Sequence, residues 1–166
     1  MRLEAMAVTI PHVEGHPNRV PFEGVLTVVN AASDKSPVGA RGHRVILTRE
    51  AAECALPSLL GMAVDYRPGW DGHDARRKIG LLTEAKLVGQ RLMVRGYLYA
   101  RDFPDVAAEI AASKPNALGM SYELAEVRVE DMRAEIWKLT RVTFTGAAIL
   151  LREKAAYRAT SFCMAS

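Results

Sequence analysis

Cysteine is scarce: Cys54 and Cys163 are the only two in 166 residues, and no CxxC or Cys/His cluster surrounds them. That excludes the common zinc sites and a disulfide framework, so no metal is expected, and a reducing compartment with free thiols fits best. Long apolar runs are missing as well. No stretch approaches about 18 apolar residues, and the N-terminal MRLEAMAVTIPHVEGHPNRV lacks the apolar core of a signal peptide. The expectation is a chain neither secreted by that route nor membrane-spanning. A charge block is absent too, because 22 Lys and Arg are dispersed among 19 Asp and Glu for a net charge of +3. The densest basic run, Arg76-Arg77-Lys78, is flanked by Asp71 and Asp74 and has no aromatic ladder. Nucleic acid is therefore not an expected partner.

What is present suits one globular domain. Hydrophobic residues make up 49% and charged residues 25% of the chain, an ordinary balance, and the length suffices to bury a core without staples. Short β-favouring runs appear at Met6 to Ile10, Val20 to Asn30 and Arg44 to Leu47. Thr48 is suited to cap a helix through Leu56, with Pro57 and Gly61 limiting it. Residues Ile79 to Leu87 and Arg91 to Tyr99 read as a hairpin, and Asp102-Phe103-Pro104-Asp105 opens a second helix over Val106 to Ser113. A long hairpin, Leu118 to Val129 and Ala134 to Leu151, closes the pattern. Seven or more strands and two helices give a mainly β, α+β chain, expected as a single antiparallel β-barrel decorated by helices. Residues 1 to 160 form the domain in this reading, and 161 to 166 a frayed tail or the start of a linker.

Few polar residues sit where chemistry would be expected. His73 lies in the loop Asp71-Gly72-His73-Asp74, where Gly72 gives the backbone freedom to present a side chain. Ser121 opens a strand in Leu118-Gly119-Met120-Ser121-Tyr122-Glu123. A nucleophilic serine needs a base in reach and N–H donors for the oxyanion. Each motif alone is unspecific, and Gly-x-Ser-x-Gly is absent, which disfavours a small esterase of the nucleophile-elbow type. Trp70 and Trp137 read as packing residues. His12 and His16 receive no role, and His43 is the reserve base.

The order of these segments, continued by Lys78-Ile79-Gly80, Leu92 to Leu98 and Leu139 to Ala148, resembles the prohead maturation proteases of tailed phages, whose fold is shared with herpesvirus assemblin. The resemblance spans roughly Val25 to Thr160. It implies an assemblin-like barrel, no cofactor, Ser121 as nucleophile and His73 as general base. It further implies phage major capsid and scaffold proteins as substrates, self-cleavage, a homo-oligomer, and a location in the host cytoplasm inside the assembling prohead. The backbone N–H groups of Gly146 and Ala147 are the oxyanion donors it suggests. One element departs from the pattern. The third catalytic member, a His in assemblin and commonly an acid in phage enzymes, falls at Arg141, which cannot accept a hydrogen bond from histidine. A turn centred near Met132 would place Ser121 opposite Thr143 and Glu123 opposite Arg141, so that Glu123 orients His73 while Arg141 holds Glu123, or the two form an ordinary cross-strand salt bridge. The rival is a catalytically decayed protease fold kept as a scaffold or assembly module.

Overall fold

The computed structural model describes residues 14 to 165, so the strand expected at Met6 to Ile10, and His12, lie outside the described residues. Eight strands form one sheet: β1 (Val20–Val28), β2 (Arg44–Leu47), β3 (Ala63–Asp65), β4 (Lys78–Val88), β5 (Arg91–Leu98), β6 (Leu118–Val129), β7 (Ile136–Leu151) and β8 (Ser161–Met164). Two helices, α1 (Arg49–Ala55) and α2 (Pro104–Ala112), decorate it. Thr48 caps α1 as its hydroxyl accepts the Ala51 N–H at 3.3 Å, satisfying one of the donors a helix start leaves open. The apolar side of α1, Ala51, Ala52 and Ala55, is buried.

The long strand β7 is the spine. Along one edge it pairs antiparallel with β6, and along the other it takes β2 at Ile136 to Leu139 and β3 at Ala147 and Ala148, both parallel. The sheet then continues from β3 through β4, β5 and β1 to β8. It curls around a core that includes Leu26, Leu59, Val64, Ile79, Leu82, Val94, Met120 and Phe144. This corrects the expected single antiparallel β-barrel in two respects: the curl is an open half-barrel, and two pairings are parallel. A side chain bridges the seam where the curl stops: Thr160 Oγ1 accepts the Met120 N–H of β6 at 3.2 Å, while Ser161 Oγ ties β8 to β1 by accepting the Val25 N–H at 3.2 Å. The expected frayed tail is also corrected, since Ser161–Met164 pairs with Phe22 to Val25 as β8. Phe162 has a reason to stay, because its ring is buried and lies 4.9 Å from that of Phe22.

Trp70 and Trp137 are buried, as packing residues should be. Among the described residues no helix is long and apolar enough to cross a membrane. The seam is tight enough to demand glycine at one point. A Cβ on Gly24 would stand 2.5 Å from Ser161 O and 2.8 Å from Met120 Sδ, and the first contact is backbone that cannot step aside. Gly24→Ala should therefore destabilise the fold by about 1–3 kcal/mol in urea unfolding. An unchanged midpoint would show that β8 is not docked at this seam.

Candidate functional site

Alternation in β6 decides where its polar residues point. Met120 is 1% exposed, and the Tyr122 ring meets Phe144 edge-on at 5.5 Å, so both face the core. Ser121 and Glu123 consequently face outward. The same logic on the neighbouring strands turns Val64 and Ala147 inward and Asp65 and Ala148 outward. Register then aligns these outward residues in one row: Asp65 on β3 pairs with Ala148 on β7, which pairs with Ser121 on β6. Strands lie about 4.8 Å apart, so the carboxylate and the hydroxyl stand about 10 Å apart at their backbones with a single methyl group between them. That gap is wide enough for an imidazole.

His73 reaches Asp65 and Glu123 from the loop joining β3 to β4. The loop is held on both sides of the histidine. Before it, Gly69 (φ 88°) and Trp70 (φ 55°) turn the chain. There the Trp70 carbonyl accepts the Leu151 N–H at 2.8 Å and the indole N–H donates to Glu109 of α2 at 3.0 Å. After it, the Asp74 N–H donates to Asp65 Oδ1 at 3.1 Å. The His73 side chain is 16% exposed, with Nδ1 3.6 Å from Asp65 Oδ1 and 3.7 Å from Glu123 Oε1. Those are ion-pair separations, longer than hydrogen bonds. Both ring nitrogens are buried and neither has a hydrogen-bond partner in the described structure. Orphaned buried donors of this kind are rare in structural histidines.

The two carboxylates are unequal. The Asp65 side chain is 2% exposed, receives the Asp74 N–H, and lies 3.4 Å from the Lys78 ammonium. Burial raises its pKa and is the largest single influence, but His73, the Asp74 N–H and Lys78 together outweigh it and hold the carboxyl below its usual value of 3.8. Glu123 is 54% exposed, and its carboxylate lies across Gly146, where a Cβ would meet Oε2 at 2.9 Å. Gly146 thus leaves room for Glu123 to reach the histidine. Asp65 is the better orienting group, because a desolvated and immobilised carboxylate holds a ring more firmly than an exposed one.

The structure brings His73, Ser121 and Glu123 to one patch with Gly146 beside Glu123, and it separates Arg141 and His43 from them. Arg141 stands opposite Arg128, and Glu123 stands opposite Gly146, so Arg141 does not support Glu123. The expected register fails because the hairpin ladder is centred nearer Ala134 than Met132 and is interrupted by three irregularities. Each residue of displacement of a turn moves every cross-strand partner by two. Gly146 and Ala147 lie inside the β6–β7 ladder, and Ala147 is also paired with Val64. An N–H flanked by bonded strands on both sides is committed to the sheet, so Ala147 is no oxyanion donor. His43, the reserve base, is far from this row: it stacks on Trp137 at 4.4 Å and its Nδ1 lies 3.0 Å from Glu135 O. Asp65 escaped the sequence reading. Its one signal was a lone carboxylate ending the apolar run Met62-Ala63-Val64.

No protein-family model matches the chain, and no curated protein matches it. Among solved structures it is similar to KSHV protease in complex with a hexapeptide phosphonate inhibitor, at 12% identity and a TM-score of 0.55. The match covers 89% of this chain and 65% of the herpesvirus chain, so this chain spans just under two thirds of that protein. At this identity the likeness establishes the fold, which is that of a herpesvirus protease. It bears on the assemblin side of the resemblance and leaves membership of the phage family to be argued.

Two outcomes follow from the geometry. If the site cleaves peptides with His73 as base, replacing Asp65 by Asn should lower turnover by about 10⁴-fold, whereas Glu123→Gln should change it only a few-fold; the reverse ranking in a peptide-cleavage assay would make Glu123 the carboxylate that orients His73. Because the folded-state pKa of Asp65 is depressed, its stabilisation is present above the unfolded value near 3.8 and is lost as pH falls through the folded value. Thermal melts from pH 6 to pH 2 should show acid destabilisation that is shallower in Asp65→Asn, and parallel curves would contradict this.

Proposed function

We propose that this chain is a serine endopeptidase in which Ser121 attacks, His73 is the general base and Asp65 orients the base. The observation that supports it is the His73 ring, with Nδ1 3.6 Å from the buried Asp65 carboxylate and 3.7 Å from Glu123, two residues along β6 from Ser121, and with Nε2 buried and unpartnered. Nε2 is the nitrogen left to take a proton from the hydroxyl. Catalytic hydrogen bonds are commonly long before substrate binds and tighten around it.

In this mechanism Ser121 Oγ bonds to the scissile carbonyl carbon as its proton passes to His73 Nε2, and the carboxylate of Asp65 stabilises the imidazolium. The C–N bond then breaks as His73 returns the proton to the leaving amine. Water attacks the acyl-enzyme with His73 again accepting the proton, and the acid product and free Ser121 are released. The herpesvirus neighbour holds a hexapeptide inhibitor, and a peptide chain is the substrate class proposed here. The motif order favours the finer reading of a prohead protease that cuts phage capsid and scaffold proteins, and itself, inside the assembling head, working as a homo-oligomer in the host cytoplasm.

The test incubates the chain, with and without Ser121→Ala, with the scaffold and capsid precursors of its phage head and follows products by intact-mass spectrometry. Cleavage by the wild type that falls at least about 10³-fold in the variant is expected. Equal cleavage by both chains, or none by either while the chain still binds the capsid precursor, would favour an assembly module built on a protease fold.

A further inference from the structure

Near the far end of the β6–β7 ribbon, Arg128 and Arg141 stand directly opposite each other. Like charges in that position repel, which makes this an unfavourable pair for the fold alone. Register shifts flank the pairing, between Ala125 and Arg128 and between Arg128 and Val129, and Glu126 there adopts φ 51°. The arginines are thus held face to face inside an irregular stretch of ladder. The Thr140 hydroxyl, which donates to Arg128 O at 3.3 Å, fixes the arrangement. Among the described residues no ion pair involves either guanidinium.

The pair opens onto a cleft of about 460 Å³ between the ribbon and α1, walled by Glu50 and Ala51 on one side and by Arg128, Thr140, Arg141 and Val142 on the other. Two uncompensated guanidinium groups facing one cleft call for an oxyanion, and their planar forks match carboxylates in particular. Glu50 in the wall disfavours a dense run of phosphates, and no aromatic residue lines the cleft to stack a base. Carboxylate side chains of a peptide fit, with Ala51 and Val142 supplying apolar wall for their methylenes.

The cleft is aligned with the row that carries Ser121. Passing through the bulge at Thr145 keeps Thr143 and Arg141 on the outward side of β7 with Ala148. Along β6, Arg128 follows Ser121 by seven residues, which is about 20 Å of extended chain. We propose that the Arg128–Arg141 cleft is an exosite for an acidic segment of the polypeptide being cut, placed about seven residues from the scissile bond. This rests on the proteolytic reading and names a feature of its substrate.

The experiment uses the full chain carrying Ser121→Ala, so that nothing is cut, and two labelled synthetic decapeptides, one with four consecutive glutamates and one with glutamines in their place. Fluorescence anisotropy should show the glutamate peptide binding at least about tenfold tighter, with the preference lost in Arg128→Gln/Arg141→Gln and weakened by salt. A second variant guards against misfolding: Arg141→Glu turns the repulsive pair into an attractive one, so its melting temperature should equal or exceed that of the parent while glutamate preference disappears. Equal binding of both peptides, a preference that survives both variants, or tighter arginine-dependent binding of a ten-residue oligothymidylate would overturn the exosite. Cleavage is scored separately on the chain with Ser121 intact. There a glutamate stretch seven residues from the cut bond should lower KM, and the double variant should lose that advantage. Arginine-dependent binding without any cleavage would sink the protease reading and leave the acidic-segment site standing.

Discussion

Everything at the site depends on the pairing of β7 with β6 on one edge and with β3 on the other. Those two ladders set Asp65, Ala148 and Ser121 in a single row, and the row exists only because every strand in it is buried on its other face. A slip of one residue in the β6–β7 ladder would turn Ser121 into the core and Tyr122 out of it. Tyr122 is well anchored against that: its ring is packed on Phe144 and burial pushes its phenol far above the ordinary value. The placement of Ser121 is thus inherited from core packing one residue away.

Electrostatics around His73 are arranged at some cost to the fold. A carboxylate as deeply buried as Asp65 loses most of its hydration, which a low-dielectric interior repays only through close partners. Lys78, the Asp74 N–H and His73 are those partners, and two of the three lie on the segment that presents the histidine to Ser121. Folding of the loop and ionisation of Asp65 therefore support each other. The Trp70 contacts to Leu151 and Glu109 hold the other end of the loop against β7 and α2. His73 itself is left with two orphaned nitrogens, an arrangement that costs the fold stability.

Local signals were legible in the sequence, and long-range ones were not. Strands β1, β2, β4 and β5, both helices and the Thr48 cap follow from propensity, alternation and capping chemistry, which act over a few residues. The two hairpin arms, Leu118 to Val129 and Ala134 to Leu151, were equally visible. Their register was not, because alternation is satisfied by many pairings and the bulges around Thr145 and Arg128 carry no sequence signature. The expected register sets Arg141 opposite Glu123, whereas in the ladder its partner is Arg128. Asp65 was hidden for a related reason: its role comes from the parallel pairing of β3 with β7, which no turn in between announces. The tail was misjudged because a four-residue edge strand offers too little pattern to distinguish from a loose end, although Phe162 is buried against Phe22.

The most direct test of the Ser121–His73 account is the site at which an activated peptide phosphonate attaches covalently, mapped by peptide mass spectrometry on the intact chain. The account predicts one adduct, on Ser121, formed at a rate that collapses when His73 is replaced by Ala. An adduct on any other residue, or labelling of Ser121 at the same rate without His73, would contradict it.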